Sequence, residues 1–93
     1  MRGMLDWQFS ARGAYGRAHF EVGKDVYVIF AGEEKGRIPA SELAEIMREN
    51  TPLDGRATKL LERIQALMQG EIAGSDIANG LGRIERWIAN NVI

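Results

Sequence analysis

Few side chains in this 93-residue chain could carry out catalysis. It contains one histidine, His19, and no cysteine. A thiolate nucleophile, a disulfide or a zinc site built from cysteines therefore cannot form, and one histidine cannot supply both ligands of a His-x-x-x-His zinc helix. The remaining candidates are a pair of carboxylates, or a hydroxyl that His19 activates, with Ser10 or Ser41 brought close by the fold.

Two groups of neighbouring glutamates are candidates for a catalytic carboxyl pair, and neither has the setting that acid–base catalysis requires. Glu33 and Glu34 are adjacent in a glycine-flanked stretch, and a second group lies at helical spacing, namely Glu42, Glu45 and Glu49. A catalytic carboxyl pair needs contrasting environments, one of them apolar, whereas the sequence predicts a solvated surface for both groups.

Gly80-Leu81-Gly82 lacks the third glycine of a dinucleotide-binding fingerprint and follows no strand. We therefore predict no catalytic residue, no cofactor and no metal.

Alternation of apolar and polar residues predicts two strands that each bury one face. The buried positions are Leu5, Trp7 and Phe9 in the first strand, and Ala18, Phe20 and Val22 in the second. The run from 26 to 31 is apolar throughout and predicts a third strand covered on both faces. A second copy of the chain could supply part of that cover, so the sequence is compatible with a homodimer. Residues 32–36 are expected to form a turn, with only Arg37 and Ile38 pairing briefly beyond it.

Three helices are predicted to follow the strands. Ser41 is the expected N-cap of the first, Thr51 with Pro52 starts the second, and Ser75 caps the third. The first two have apolar stripes, and the stripe of the third is Ile77, Leu81, Ile84, Ile88 and Val92. The sequence thus predicts one α+β domain over 1–93, a three-stranded antiparallel meander followed by three helices packed on one sheet face.

Two sets of residues are candidates for protein binding. Arg17, His19 and Glu21 share the polar side of the second strand, and the third helix adds Arg83, Arg86, Trp87 and Asn90. Trp and Arg are enriched at interface hot spots. Trp87 lies at the margin of the apolar stripe, so the sequence leaves open whether it is an interface anchor or a core residue.

The third helix also admits a helix-turn-helix interpretation over residues 75–92, which would make the protein a small DNA-binding regulator. Ala78, Gly82 and Ile88 have the offsets of a small residue, a turn glycine and an apolar anchor in such motifs. The net charge of −1 disfavours it, because phosphate binding favours a basic protein. The two interpretations differ at Gly80 and Gly82, since a continuous helix indicates packing or docking and a turn indicates DNA recognition.

The segment Gly80-Leu81-Gly82-Arg83-Ile84-Glu85 resembles the start of the last helix of small phage anti-CRISPR proteins of type I-F. The resemblance implies a non-catalytic inhibitor that binds a CRISPR surveillance complex, a host nucleoprotein assembly, and blocks its DNA recognition. No functional residue of that family maps onto a position of this chain. We expect a stoichiometric protein-binding module of phage or mobile-element origin. We expect it in the cytoplasm and away from membranes, since no run approaches the ~20 apolar residues that span a bilayer.

Overall fold

The computed structural model describes residues 3–91, which form four strands and three helices. The strands are β1 (Met4–Ala11), β2 (Ala14–Glu21), β3 (Val26–Phe30) and β4 (Glu33–Ile38), and the helices are α1 (Ala40–Arg48), α2 (Leu53–Leu67) and α3 (Gly74–Asn91). The strands make one antiparallel sheet in the order β1-β2-β3-β4. The predicted α+β class is confirmed. No helix within residues 3–91 has the length and apolar character to cross a membrane.

The fourth strand corrects the predicted three-stranded meander. Residues 32–36 do not form a turn, because the chain reverses earlier, at Ala31 and Gly32, where φ is 51° and 82°. β4 then pairs with β3 from Glu33 to Ile38, with a register shift at Val28 and Ile29. Charged residues on an edge strand discourage pairing with other chains, and they also erase the apolar alternation by which strands are recognised in sequences.

The sheet has one face against the helices and one face free of them. The predicted inner positions of β1 and β2 are buried, and from β3 the inner face adds Val26, Val28 and Phe30. Two predictions about burial are wrong. Val22 lies beyond the end of β2 and is 43% exposed, and the other face of β3, with Tyr27 and Ile29, is only half-buried. An antiparallel meander can leave one face to solvent, and here Arg37 partly covers Tyr27, with Cζ 4.5 Å from the ring centroid.

The helix starts also differ from prediction. α1 begins after Pro39 and α2 after Pro52, and each of these N-cap prolines has a side chain that accepts no hydrogen bond. Proline has its φ fixed near the helical value, which prepares the chain for a helix. The Ala40 N–H donates to Asp25 Oδ1 at 2.8 Å, so a carboxylate from the β2–β3 connection takes the role predicted for Ser41. The third helix begins at Gly74, so Ser75, its predicted cap, lies inside the helix.

α3 is one continuous helix that passes through both Gly80 and Gly82. Ile84 and Ile88 of its predicted stripe are buried, Ile77 and Leu81 pack partly against the core, and Val92 lies outside the described residues. Gly80 is buried against the indole ring of Trp7, so closely that a Cβ atom there would overlap the ring. Gly80 weakens the helix, and it is also the position at which the helix backbone packs against the sheet.

Alanine substitutions at the two glycines should have opposite effects. Gly80→Ala should lower the free energy of unfolding by about 1–3 kcal/mol, because overpacking against Trp7 outweighs the gain in helix propensity. A Cβ atom added at Gly82 would have nothing within 4 Å, so Gly82→Ala should raise that free energy by about 0.5–1 kcal/mol. Urea denaturation of both variants measures the difference, and equal effects would contradict the Gly80–Trp7 contact.

Candidate functional site

The predicted residues of β2 form part of a charged cluster that spans β1 and β2. Asp6 lies opposite His19 in the strand register, and His19 Nδ1 is 2.7 Å from Asp6 Oδ1. The other ring nitrogen, Nε2, is 3.5 Å from Glu21 Oε1, and Arg17 Nη1 is 3.7 Å from Asp6 Oδ1. The structure thus brings Arg17, His19 and Glu21 together, with His19 held between two carboxylates.

Asp6 belongs to this cluster, although the alternation within β2 does not identify it. The hairpin turn consists of Arg12 and Gly13 alone, which sets Ala11 opposite Ala14 and, counting back, Asp6 opposite His19. The two glycines within residues 12–16 predict only a turn somewhere in that stretch. A turn of undefined length does not determine which residues of β1 and β2 lie opposite each other. A strict two-residue turn is the signal in the sequence that identifies the Asp6–His19 pair.

The cluster lies within a broader surface, the open face, which is the helix-free side of the sheet. Tyr15 is 80% exposed on it, and Arg17 pairs with Ile29 across β2 and β3. The open face includes Asp6, Gln8, Tyr15, Arg17, His19, Glu21, Tyr27, Ile29, Glu34 and Arg37. It combines aromatic rings, one aliphatic side chain and charges of both signs on a rigid sheet.

The predicted residues of α3 line a second concave surface, which we call the edge groove. Arg83, Arg86, Trp87 and Asn90 surround a volume of about 420 Å³ together with Asn91 and residues 3–5 at the start of β1. Trp87 is only 5% exposed and packs on Phe20, with the ring centroids 5.3 Å apart. It is therefore a core residue that forms the wall of the groove.

The edge groove and the open face are adjacent. Met4 lines the groove and also pairs with Glu21, at the end of the charged cluster. The two surfaces that contain the seven predicted binding residues therefore meet at the start of β1. A wider groove of about 620 Å³, lined mainly by α1 and by Val22, Arg56 and Asn91, contains none of those seven.

Three of the residues considered for catalysis, Ser10, His19 and Glu42, are engaged in structural contacts. Ser10 Oγ donates to Asp76 Oδ2 at 2.9 Å, and His19 contacts Asp6 four positions away along β1, so the fold does not join Ser10 to His19. Ser41 is exposed on α1. Hydrogen bonds from the Arg63 guanidinium lower the pKa of Glu42, which is the opposite of what a general acid needs.

The far end of the β1 edge is closed by the start of α3. Asp76 Oδ2 accepts from the Ser10 N–H at 2.7 Å as well as from its hydroxyl. The Ala73 N–H donates to the Ser10 carbonyl at 2.9 Å, and Ala11 forms a bridge with Ile72. Both backbone groups of Ser10 are therefore bonded on the side away from β2.

Removing the carboxylate of Asp76 should destabilise the fold. Asp76→Ala leaves the half-buried Ser10 N–H and hydroxyl without their acceptor, and hydrogen bonds to a charged group contribute about 1.5–3 kcal/mol. We expect a loss of that size in the free energy of unfolding by urea denaturation at neutral pH. The matched control is Ser75→Ala, at the exposed neighbouring position, and an equal effect of both variants would contradict the role of Asp76.

Comparison of the chain with protein-family models, with curated proteins and with solved structures finds no match. The six residues that resemble anti-CRISPR proteins, 80–85, lie in the middle of α3, where Gly80 and Ile84 are buried. Packing against the sheet therefore accounts for part of that short pattern.

Proposed function

We propose that this protein is a non-catalytic protein-binding module that acts stoichiometrically on a larger host assembly, with the open face as its contact surface. The observation that carries the proposal is the composition of that face. Solvated sheet faces are usually polar, whereas this one presents Tyr15, Tyr27 and Ile29 among arginines. Tyr and Arg are the residues enriched at protein interfaces.

The charged cluster supports binding because its side chains are already held in place. His19 contacts Asp6 and Glu21 and is about three-quarters buried, with 25% of its side chain exposed. Arg37 stacks on Tyr27 and also donates to Glu34 at 3.1 Å. Side chains that are ordered before binding lose less conformational entropy when a partner docks.

The host assembly that we propose is a CRISPR surveillance complex, in the cytoplasm of a cell that a phage or mobile element has entered. The resemblance at residues 80–85 motivates this choice, together with the small size of the domain. A protein of this kind inhibits by covering a surface of the complex that its DNA target needs. The inhibition should therefore follow a one-to-one titration and require no turnover.

The geometry of α3 weighs against the DNA-binding alternative. A helix-turn-helix over residues 75–92 needs a turn at Gly82, and residues 74–91 form a single helix there. Ile88, the anchor of the supposed recognition helix, is buried in the same core as Ile84 and Gly80. The motif that would present α3 to a major groove is therefore not formed.

Truncating the open face should weaken partner binding without unfolding the protein. We expect Tyr15→Ala and Arg17→Ala each to reduce the affinity for a purified type I surveillance complex by about tenfold, as hot-spot residues do. Arg48→Ala is the matched control, since Arg48 is exposed on α1, away from this face. Size-exclusion co-elution and target-DNA binding by the complex are the two measurements.

Two results would contradict the proposal. One is a surveillance complex that keeps its DNA-binding activity in a several-fold molar excess of the protein. The other is tight binding of the protein itself to duplex DNA with a steep dependence on salt. Such a dependence would indicate phosphate contacts and would favour the DNA-binding alternative.

A further inference from the structure

The outer edge of β1 has backbone groups that no neighbouring strand uses. β1 is the first strand in the sheet order, and both backbone groups of Ser10 are directed away from β2. Because the direction alternates along a strand, the N–H and C=O of Asp6 and Gln8 have the same outward direction. Within residues 3–91, no hydrogen bond from the chain reaches those groups. The edge is closed at Ser10 and open from Gln8 back to Met4.

The open part of this edge lies beside the basic half of α3. The helix runs antiparallel to β1. Near its start, Asp76 bonds to Ser10. At its end, Asn91 lies close to Gly3, since a Cβ atom added to Gly3 would be 3.7 Å from Asn91 Oδ1. Among the described residues, the lining of the edge groove between α3 and β1 includes Arg83 and Arg86 and no acidic side chain. Within residues 3–91 neither arginine forms an ion pair, whereas Arg17, Arg37 and Arg63 do.

From these observations we propose that the edge groove binds an extended acidic peptide, which adds to the sheet as a fifth strand beside β1. Met4–Gln8 would pair with a segment of about five residues, roughly 16 Å long. Successive side chains of such a strand face opposite sides of the sheet. Acidic residues at alternate positions would therefore face Arg83 and Arg86, while the others lie beside Asp6 and Gln8. This site adjoins the open face at Asp6 and Gln8, but it does not depend on the function proposed for that face.

Charge and backbone geometry distinguish this occupant from the two obvious competitors. A nucleic acid would satisfy the arginines, but it lacks the alternating N–H and C=O groups that the edge requires. A second copy of the chain would satisfy the edge, but it would bring another Arg83 and Arg86 alongside the first pair and no compensating acid from its own groove. An acidic strand provides both the backbone groups and the negative charge.

The test uses a fluorescein-labelled peptide of eight alternating Glu and Thr residues, measured by fluorescence anisotropy with the full-length protein. We expect this peptide to bind at least tenfold more tightly than the matching Gln–Thr peptide. Alternate peptide bonds can be N-methylated in two ways, and the peptide whose methyl groups replace the N–H groups facing β1 should not bind, because it lacks the donors that a strand edge needs. The assay contains no host assembly, so its outcome is independent of the proposal for the open face.

Protein variants locate the binding site. Arg86→Glu should weaken peptide binding by about tenfold, since it reverses a charge at the groove, while Arg48→Glu makes the same change on an exposed helix elsewhere and should leave binding unchanged. Gln8→Pro removes the outward N–H of the edge and should abolish binding, whereas Gln8→Thr should retain it. Circular dichroism melting confirms that each variant is folded.

The proposal would be overturned by equal binding of the unmodified peptide and both N-methylated peptides, or by equal effects of Arg86→Glu and Arg48→Glu. It would also fail if sedimentation showed the free protein to be a dimer that Gln8→Pro dissociates, because the occupant would then be a second copy. A single-stranded DNA octamer that binds more tightly than the peptide and depends on Arg86 would assign the groove to nucleic acid instead.

Discussion

The contact between Trp7 and Gly80 determines how the two layers of this protein fit together. Trp7 is fully buried on β1, beside Phe9 at a centroid separation of 5.2 Å. An indole of this size leaves room for α3 only where the helix has no side chain, and Gly80 provides that position. Because the helix is fixed there, its first turn reaches Ser10 through Asp76. Its second half lies beside the start of β1.

The same contact gives the molecule its two unlike sides. The helices pack on the inner face of the sheet, which leaves the outer face to Tyr15 and the charged cluster around His19. Since α3 packs beside β1, its arginines border a strand edge that, within residues 3–91, is closed at Ser10 and open from Gln8 back to Met4. The surfaces that we assign to binding therefore follow from the packing of one helix on one strand.

Much of the fold could be predicted from the sequence because its patterns are local. Alternation in β1 and β2 and the apolar stripe of the third helix depend only on which residues face the core, and the structure buries most of those positions that it describes. β4 could not be found in this way, because an exposed edge strand carries charges where alternation would be expected. The hydrogen-bond acceptor at the start of α1 could not be predicted either, because Asp25 precedes Ala40 by 15 residues and belongs to another part of the fold.

The candidate site was predictable only in part, for the same reason. Arg17, His19 and Glu21 share a strand face by simple alternation, but Asp6 joins them through a register that the Arg12–Gly13 turn sets. Trp87 had two interpretations until its contact with Phe20 placed it in the core. Gly80 could be seen as a weak point of a helix, yet its role depends on Trp7, 73 residues earlier in the chain. The edge groove exists only once α3 and β1 are packed together.

Residue-resolved amide hydrogen exchange of the free protein tests this account most directly. The account predicts slow exchange for Leu5, Trp7 and Phe9, which pair with β2, and for Ser10, which bonds to Asp76. It predicts fast exchange for Asp6 and Gln8 on the open edge, and slow exchange through Gly80 and Gly82 in a continuous α3. Uniform protection along β1, or fast exchange at the two glycines, would contradict it.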